Sequence, residues 1–132
     1  MRHTTLLLLS AILLPMTVLL SSSHAATAKE WDGMYSPSKS SYLLYSGDPG
    51  EKEAPKPGQQ KLSLMMEGQL AENLFHSIGP DKKQACGAST GVRIRTRGDV
   101  TCAFDRELKS EPYTCFIGVD LKTGKSIRGE TC

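Results

Sequence analysis

Four cysteines, Cys86, Cys102, Cys115 and Cys132, all stand at or beyond position 86 of a 132-residue chain, and their surroundings decide which chemistry is open to them. None of them forms a C-x-x-C pair, and behind the N-terminal leader described below a single histidine, His76, remains. A zinc site therefore lacks ligands at suitable spacing. Disulfides in an oxidising compartment fit instead, and with every thiol so used no cysteine nucleophile is left. The other groups able to move a proton are Glu67, Glu72 and His76. Glu72 and His76 are four residues apart and neighbours on a helix, but acid–base catalysis also needs a pocket and a tuned pKa. They read as surface groups, with Glu67 at the rim of the same helix, and no catalytic residue is assigned. The chain carries no G-x-S-x-G, H-E-x-x-H or P-loop motif, so neither metal nor cofactor is expected.

The leader begins Met1-Arg2-His3 and continues with an apolar run from Leu6 to Leu20. As a helix that run spans about 22 Å, short of the roughly 20 residues a membrane span requires. It reads as a signal peptide, residues 1–25, with cleavage after Ala25 in Ser23-His24-Ala25. The product is expected in the periplasm, with release from the cell also open and no stable membrane anchor. Cleavage removes one cation, Arg2, and leaves 15 cations against 14 anions, a net charge of +1. A nucleic-acid binder would need a strong basic stripe, so that class is excluded. The charge is unevenly spread, −3 over residues 26–81 and +4 over residues 82–132.

Composition divides the mature chain into a flexible aromatic-containing arm and linker, residues 26–60, and a disulfide-stabilised domain, residues 61–132. Pro37, Pro49, Pro55 and Pro57 argue against long regular elements in the arm. Its aromatic residues, Trp31, Tyr35, Tyr42 and Tyr45, suggest that part of it docks on the domain or on a partner. A helix is predicted from an N-cap at Ser63 to Ile78, ended by Gly79-Pro80, with Gly79 in a left-handed conformation. Leu70, Ala71, Leu74, Phe75 and Ile78 share its apolar face, while Gln69, Glu72, Asn73 and His76 face away.

Beyond Lys82 the hydrophobic period shortens to two, which predicts strands around 92–97, 100–104 and 113–119, with a fourth open over Ser126 to Cys132. A three-residue loop, Arg97-Gly98-Asp99, keeps the apolar sets in phase by pairing Thr96 with Val100, Ile94 with Cys102 and Val92 with Phe104. The alternative two-residue turn would place Arg95 and Arg97 beside the core. Cys102 and Cys115 fall on one face of adjacent strands and are expected to bond, leaving Cys86 for Cys132. The expected fold class is α+β: one amphipathic helix on a small antiparallel sheet of three or four strands, stapled by two disulfides, with a mostly irregular N-terminal arm.

In that register the face away from the helix presents Arg93 and Arg95 beside Phe116, and arginine with an aromatic is a pairing enriched at interface hot spots. With Trp31 and Tyr35 from the arm, these are the candidate partner-binding residues, and their charge calls for a protein with an acidic surface. The succession Gly68-Gln69-Leu70-Ala71-x-x-Leu74-Phe75, Gly98-x-Val100-x-Cys102 and Tyr113-x-Cys115 resembles a loose group of small exported proteobacterial proteins. The resemblance covers residues 62–119 and implies an exported disulfide domain without a defined activity. Tyr113-Thr114-Cys115 is also similar to an element of periplasmic lysozyme inhibitors of the membrane-bound C-type, all-β barrels from which the predicted helix departs. The expected function is an inhibitor or immunity-type protein acting against a wall-degrading enzyme or toxin. The alternatives are a secreted effector or enzyme acting on envelope material, and a structural or stress-related envelope protein.

Overall fold

The computed structural model describes residues 31–129, so the expected signal segment and Cys132 lie outside the described residues, and with them the expected Cys86–Cys132 bond. The chain divides into two compact units between Met34 and Tyr35. Of the first, residues 31–34 are described; the Met34 amide donates to Asp32 Oδ1 at 2.9 Å.

The second unit is built from β1 (Lys39–Asp48), β2 (Glu51–Glu53), β3 (Lys61–Glu67), α1 (Gly68–Ile78), β4 (Val92–Arg97), β5 (Val100–Asp105), β6 (Tyr113–Asp120) and β7 (Ser126–Ile127). The strands form one seven-stranded sheet in the order β2-β1-β3-β6-β5-β4, antiparallel throughout. β5 covers the first half of one edge of β6, and β7 pairs with Gly118 and Val119 farther along the strand. The expected α+β domain of one helix on three or four strands is therefore replaced by a mostly-sheet structure with one short helix.

Three local readings account for the difference. The arm expected to be irregular holds β1, ten residues long, and its side-chain contacts tie back residues that read as a loose linker: Ser46 Oγ accepts from the Lys56 amide at 2.8 Å and donates to the Gln59 carbonyl at 3.0 Å. The stretch from Ser63 to Glu67, expected to open the helix, belongs instead to β3. Its leucine and methionines suit a helix, but pairing with β1 on one side and β6 on the other satisfies the backbone along both edges. Gly68, at φ 64°, turns the chain from β3 directly into α1, a conformation that favours glycine. Gly79, expected to be left-handed, has φ −44°.

The third difference is the register of β4 on β5. The turn has two residues, Gly98-Asp99, with Gly98 at φ 57°, and pairs Arg97 with Val100, Arg95 with Cys102 and Arg93 with Phe104. The arginines therefore share a face with the disulfide and the helix, whereas Val92, Ile94 and Thr96 face the other way. An arginine is tolerated beside a core when its aliphatic stem packs and its head finds a carboxylate. Arg93 and Arg95 both do so, as described below.

Under α1 the core gathers Met66, Ala71, Phe75, Ile78, Cys102 and Cys115, with Leu64, Leu74, Phe104 and Tyr113 packed against it. The apolar helix face is the one the sequence predicts. The expected Cys102–Cys115 disulfide joins directly opposed residues of β5 and β6, and both sulfurs are fully buried. Closing so short a loop contributes about 3 kcal/mol in the chain-entropy account.

On the opposite face the chain after β7 lies directly on β6. A Cβ placed on Gly129 would stand 2.5 Å from the Ile117 carbonyl carbon, and one on Gly118 would stand 2.8 Å from Ile127 and 2.9 Å from the Arg128 carbonyl. Ser63 Oγ donates to the Gly129 carbonyl and holds the segment down. Gly129→Ala is expected to lower stability by about 2 kcal/mol through overpacking against backbone, measured by urea denaturation. Unchanged stability would show that this segment does not sit tightly on β6.

Candidate functional site

Of the residues singled out in the sequence, the two arginines are committed inside the fold. Arg95 donates from Nη1 to the Phe75 carbonyl at 2.8 Å, near the C-terminal end of α1, and from Nε to Asp81 Oδ1 at 2.6 Å. Its guanidinium carbon lies 4.1 Å from the Phe75 ring centroid, and Gly79 leaves room for it, since a Cβ there would meet Nη1 at 3.0 Å. Arg93 binds the other Asp81 oxygen at 2.8 Å and stands over both Phe75 and Phe104. A cation is favoured at the negative end of the helix dipole, and a ring face adds further attraction. The pair therefore fastens the end of α1 and the start of the following loop to β4.

Phe116 lies on the opposite face, across from Thr101 and Met65, so it does not share a surface with Arg93 and Arg95. Tyr35 is fully exposed, and Trp31, in the other unit, is 90% exposed. His76 is exposed and stands 3.3 Å from the Tyr113 hydroxyl. Glu72 accepts from Gln69 at 3.4 Å rather than meeting His76, and Glu67 pairs with Lys39 at 3.4 Å. Lys39 also binds Glu111, and Glu111 and Glu72 line one hollow of about 290 Å³.

The second sheet face carries two larger hollows, one bordered by Gly129 and the other by Arg128. One, of about 380 Å³, has Leu43, Met65 and Phe116 among its lining residues, together with Ser41, Ser63 and Lys52. The other, of about 650 Å³, has Ile94, Thr96 and Thr101 among its lining residues, together with the cationic side chains of Lys82, Lys83 and Arg128. The apolar hollow adjoins β1, whose Tyr42, Leu43 and Leu44 are exposed. β2 covers that strand only at Ser46, Gly47 and Asp48. The next ladder positions would fall to Ala54 and Pro55; proline has no amide to donate, and the chain turns away. From Lys39 to Tyr45 the outer edge of β1 is unpaired by any described strand.

Sequence reasoning noticed the apolar run at Tyr42–Tyr45 but assigned it to an irregular arm; its flanking serines and low charge were the signal for an edge strand. Lys82, Lys83 and Arg128 carry no local pattern that would have grouped them. Among the described residues no cluster of three or more His, Cys, Asp and Glu side chains could hold a metal ion, and no helix is long and apolar enough to cross a membrane. Compared with protein-family models, with curated proteins and with solved structures, the chain matches none.

Hydrogen bonds from Arg93 and then Arg95 hold the Asp81 carboxyl below the usual carboxylate range. Because the folded value is the lower one, this contribution is full above the unfolded value near 3.9 and is lost as pH falls through the folded value. Calorimetric melting between about pH 5 and pH 2 should therefore fall more steeply for the native protein than for Asp81→Asn. Parallel curves would show that the junction does not contribute.

Proposed function

We propose that the protein is an exported, periplasmic binding module of the inhibitor or immunity type, which takes an extended segment of a partner protein onto the open edge of β1. The unpaired stretch from Lys39 to Tyr45 supports this reading above all. A long edge with few charges is a template for another strand, and sheets ordinarily blunt such edges with charge, proline or cover. Here β2 is short and charged, Glu51-Lys52-Glu53, but it protects only one end. Main-chain hydrogen bonds along the edge would supply affinity, and side chains entering the hollow beside Phe116 and Met65 would supply selectivity. The partner is a wall-degrading enzyme or toxin, and the net positive charge of residues 82–132 favours one with an acidic surface.

A second reading, an enzyme acting on envelope material, draws on the hollow that Glu72 and Glu111 share, since glycoside hydrolysis uses two carboxylates across one cleft. The two readings separate in one set of measurements on the mature, disulfide-intact protein. A partner captured from periplasm should lose its wall-degrading or toxic activity on binding and slow hydrogen exchange at residues 39–45. The double variant Tyr42→Lys/Leu44→Lys should abolish capture while changing stability by less than about 0.5 kcal/mol, because both side chains are exposed. Capture undiminished by those lysines would overturn the edge. Turnover of isolated peptidoglycan that disappears in Glu72→Gln/Glu111→Gln would select the enzyme.

A further inference from the structure

The larger hollow on the second face combines charge with an apolar lining in a way that the edge of β1 does not use. Ile94, 7% exposed, and Thr101, 8% exposed, come from neighbouring strands, and Thr96 lies two residues beyond Ile94 on the same face. Lys82 and Lys83 stand on one wall, and Arg128 comes from the far end of the chain. Both walls are anchored. The Lys82 amide donates to the Ile94 carbonyl at 2.8 Å, and the preceding Asp81 is gripped by Arg93 and Arg95. Arg128 is flanked by β7 and by Gly129, which is seated on Ile117 and held by Ser63.

None of these three cations forms an ion pair or a side-chain hydrogen bond with a described residue, and no described acidic side chain lines the hollow. Lys39, Lys56 and Arg93 have carboxylate partners, whereas Arg97, Arg106, Lys122 and Lys125, like the three cations of the hollow, form no ion pair with a described residue; what sets the three apart is that they line one concavity. Three unneutralised cations around a concavity raise the local anion concentration. A guanidinium fork beside two ammonium groups suits phosphate oxygens, which accept from several donors at once. The volume of about 650 Å³ lies within the range of small-molecule sites.

We propose that this hollow binds a phosphate group attached to an apolar body, with Lys82, Lys83 and Arg128 on the phosphate and Ile94, Thr96 and Thr101 under the apolar part. A phosphate ester free in solution and the head of a membrane amphiphile share this chemistry, and the probes separate the two sources. Calorimetric titration of the mature, disulfide-intact protein would use dodecyl phosphate below its micellar concentration and inorganic phosphate, alongside co-sedimentation with phosphatidylcholine vesicles with and without phosphatidylglycerol. Dodecyl phosphate should bind at least about tenfold more tightly than inorganic phosphate, because inorganic phosphate leaves the apolar lining uncovered. Affinity should fall with added salt and drop by at least about tenfold in Lys83→Glu/Arg128→Glu, whose exposed positions should leave the melting temperature unchanged.

Binding of the soluble ester alone would assign a free phosphate ester, and co-sedimentation dependent on phosphatidylglycerol would assign a membrane headgroup. Either supports the site if the double variant loses it. No binding of any probe, or binding that the double variant retains, would overturn it, and neither result would bear on strand pairing at β1.

Discussion

The grip of Arg93 and Arg95 on Asp81 and Phe75 is the interaction on which the rest of the arrangement depends. It joins three elements at one point: the last turn of α1, the loop that follows it, and the edge strand β4. Because side chains alternate along a strand, placing Arg93 and Arg95 under the helix sends Ile94 and Thr96 to the opposite face. The lining of the basic hollow is thus a consequence of where the arginines are used. The same carboxylate starts the loop that carries Lys82 and Lys83, so the junction on one face also positions cations on the other.

β6 distributes that order across the sheet. One edge pairs with β3 along seven residues, and the other meets β5 and then β7. The disulfide locks β6 to β5 from the helix side, while Gly118 and Gly129 let the C-terminal segment settle on the reverse side. A chain of this size has little core to spare, and the Cys102–Cys115 bond sits where helix and sheet meet. Among the described residues, the outer edge of β1 from Lys39 to Tyr45 has no strand partner, and Pro55 cannot extend the β2 ladder along it. Packed elements in the middle and an edge without a described partner at the margin are the arrangement on which the proposed strand pairing rests.

Part of this was legible in the residues themselves. The buried stripe of α1, the stop at Gly79-Pro80, the strands beyond Val92 and the Cys102–Cys115 bond each rest on short-range periodicity or on cross-strand phase. Two errors share a cause. Leu64 to Met66 suits a helix by propensity, and became part of a strand because β1 and β6 were available on either side. The arginine strand was turned outward on the premise that charge avoids a core; neither Asp81 nor the face of Phe75 could be placed near it from sequence.

Composition and spacing by themselves determined the apolar face of the helix and the central disulfide, because each depends on residues close along the chain or on a single alternation. Tertiary structure alone decided the face on which Arg93 and Arg95 lie, the conversion of an arm into a sheet edge, and the meeting of Lys82 and Lys83 with Arg128. Those outcomes depend on contacts between distant segments. A one-residue difference in a turn is enough to exchange the two faces of a strand.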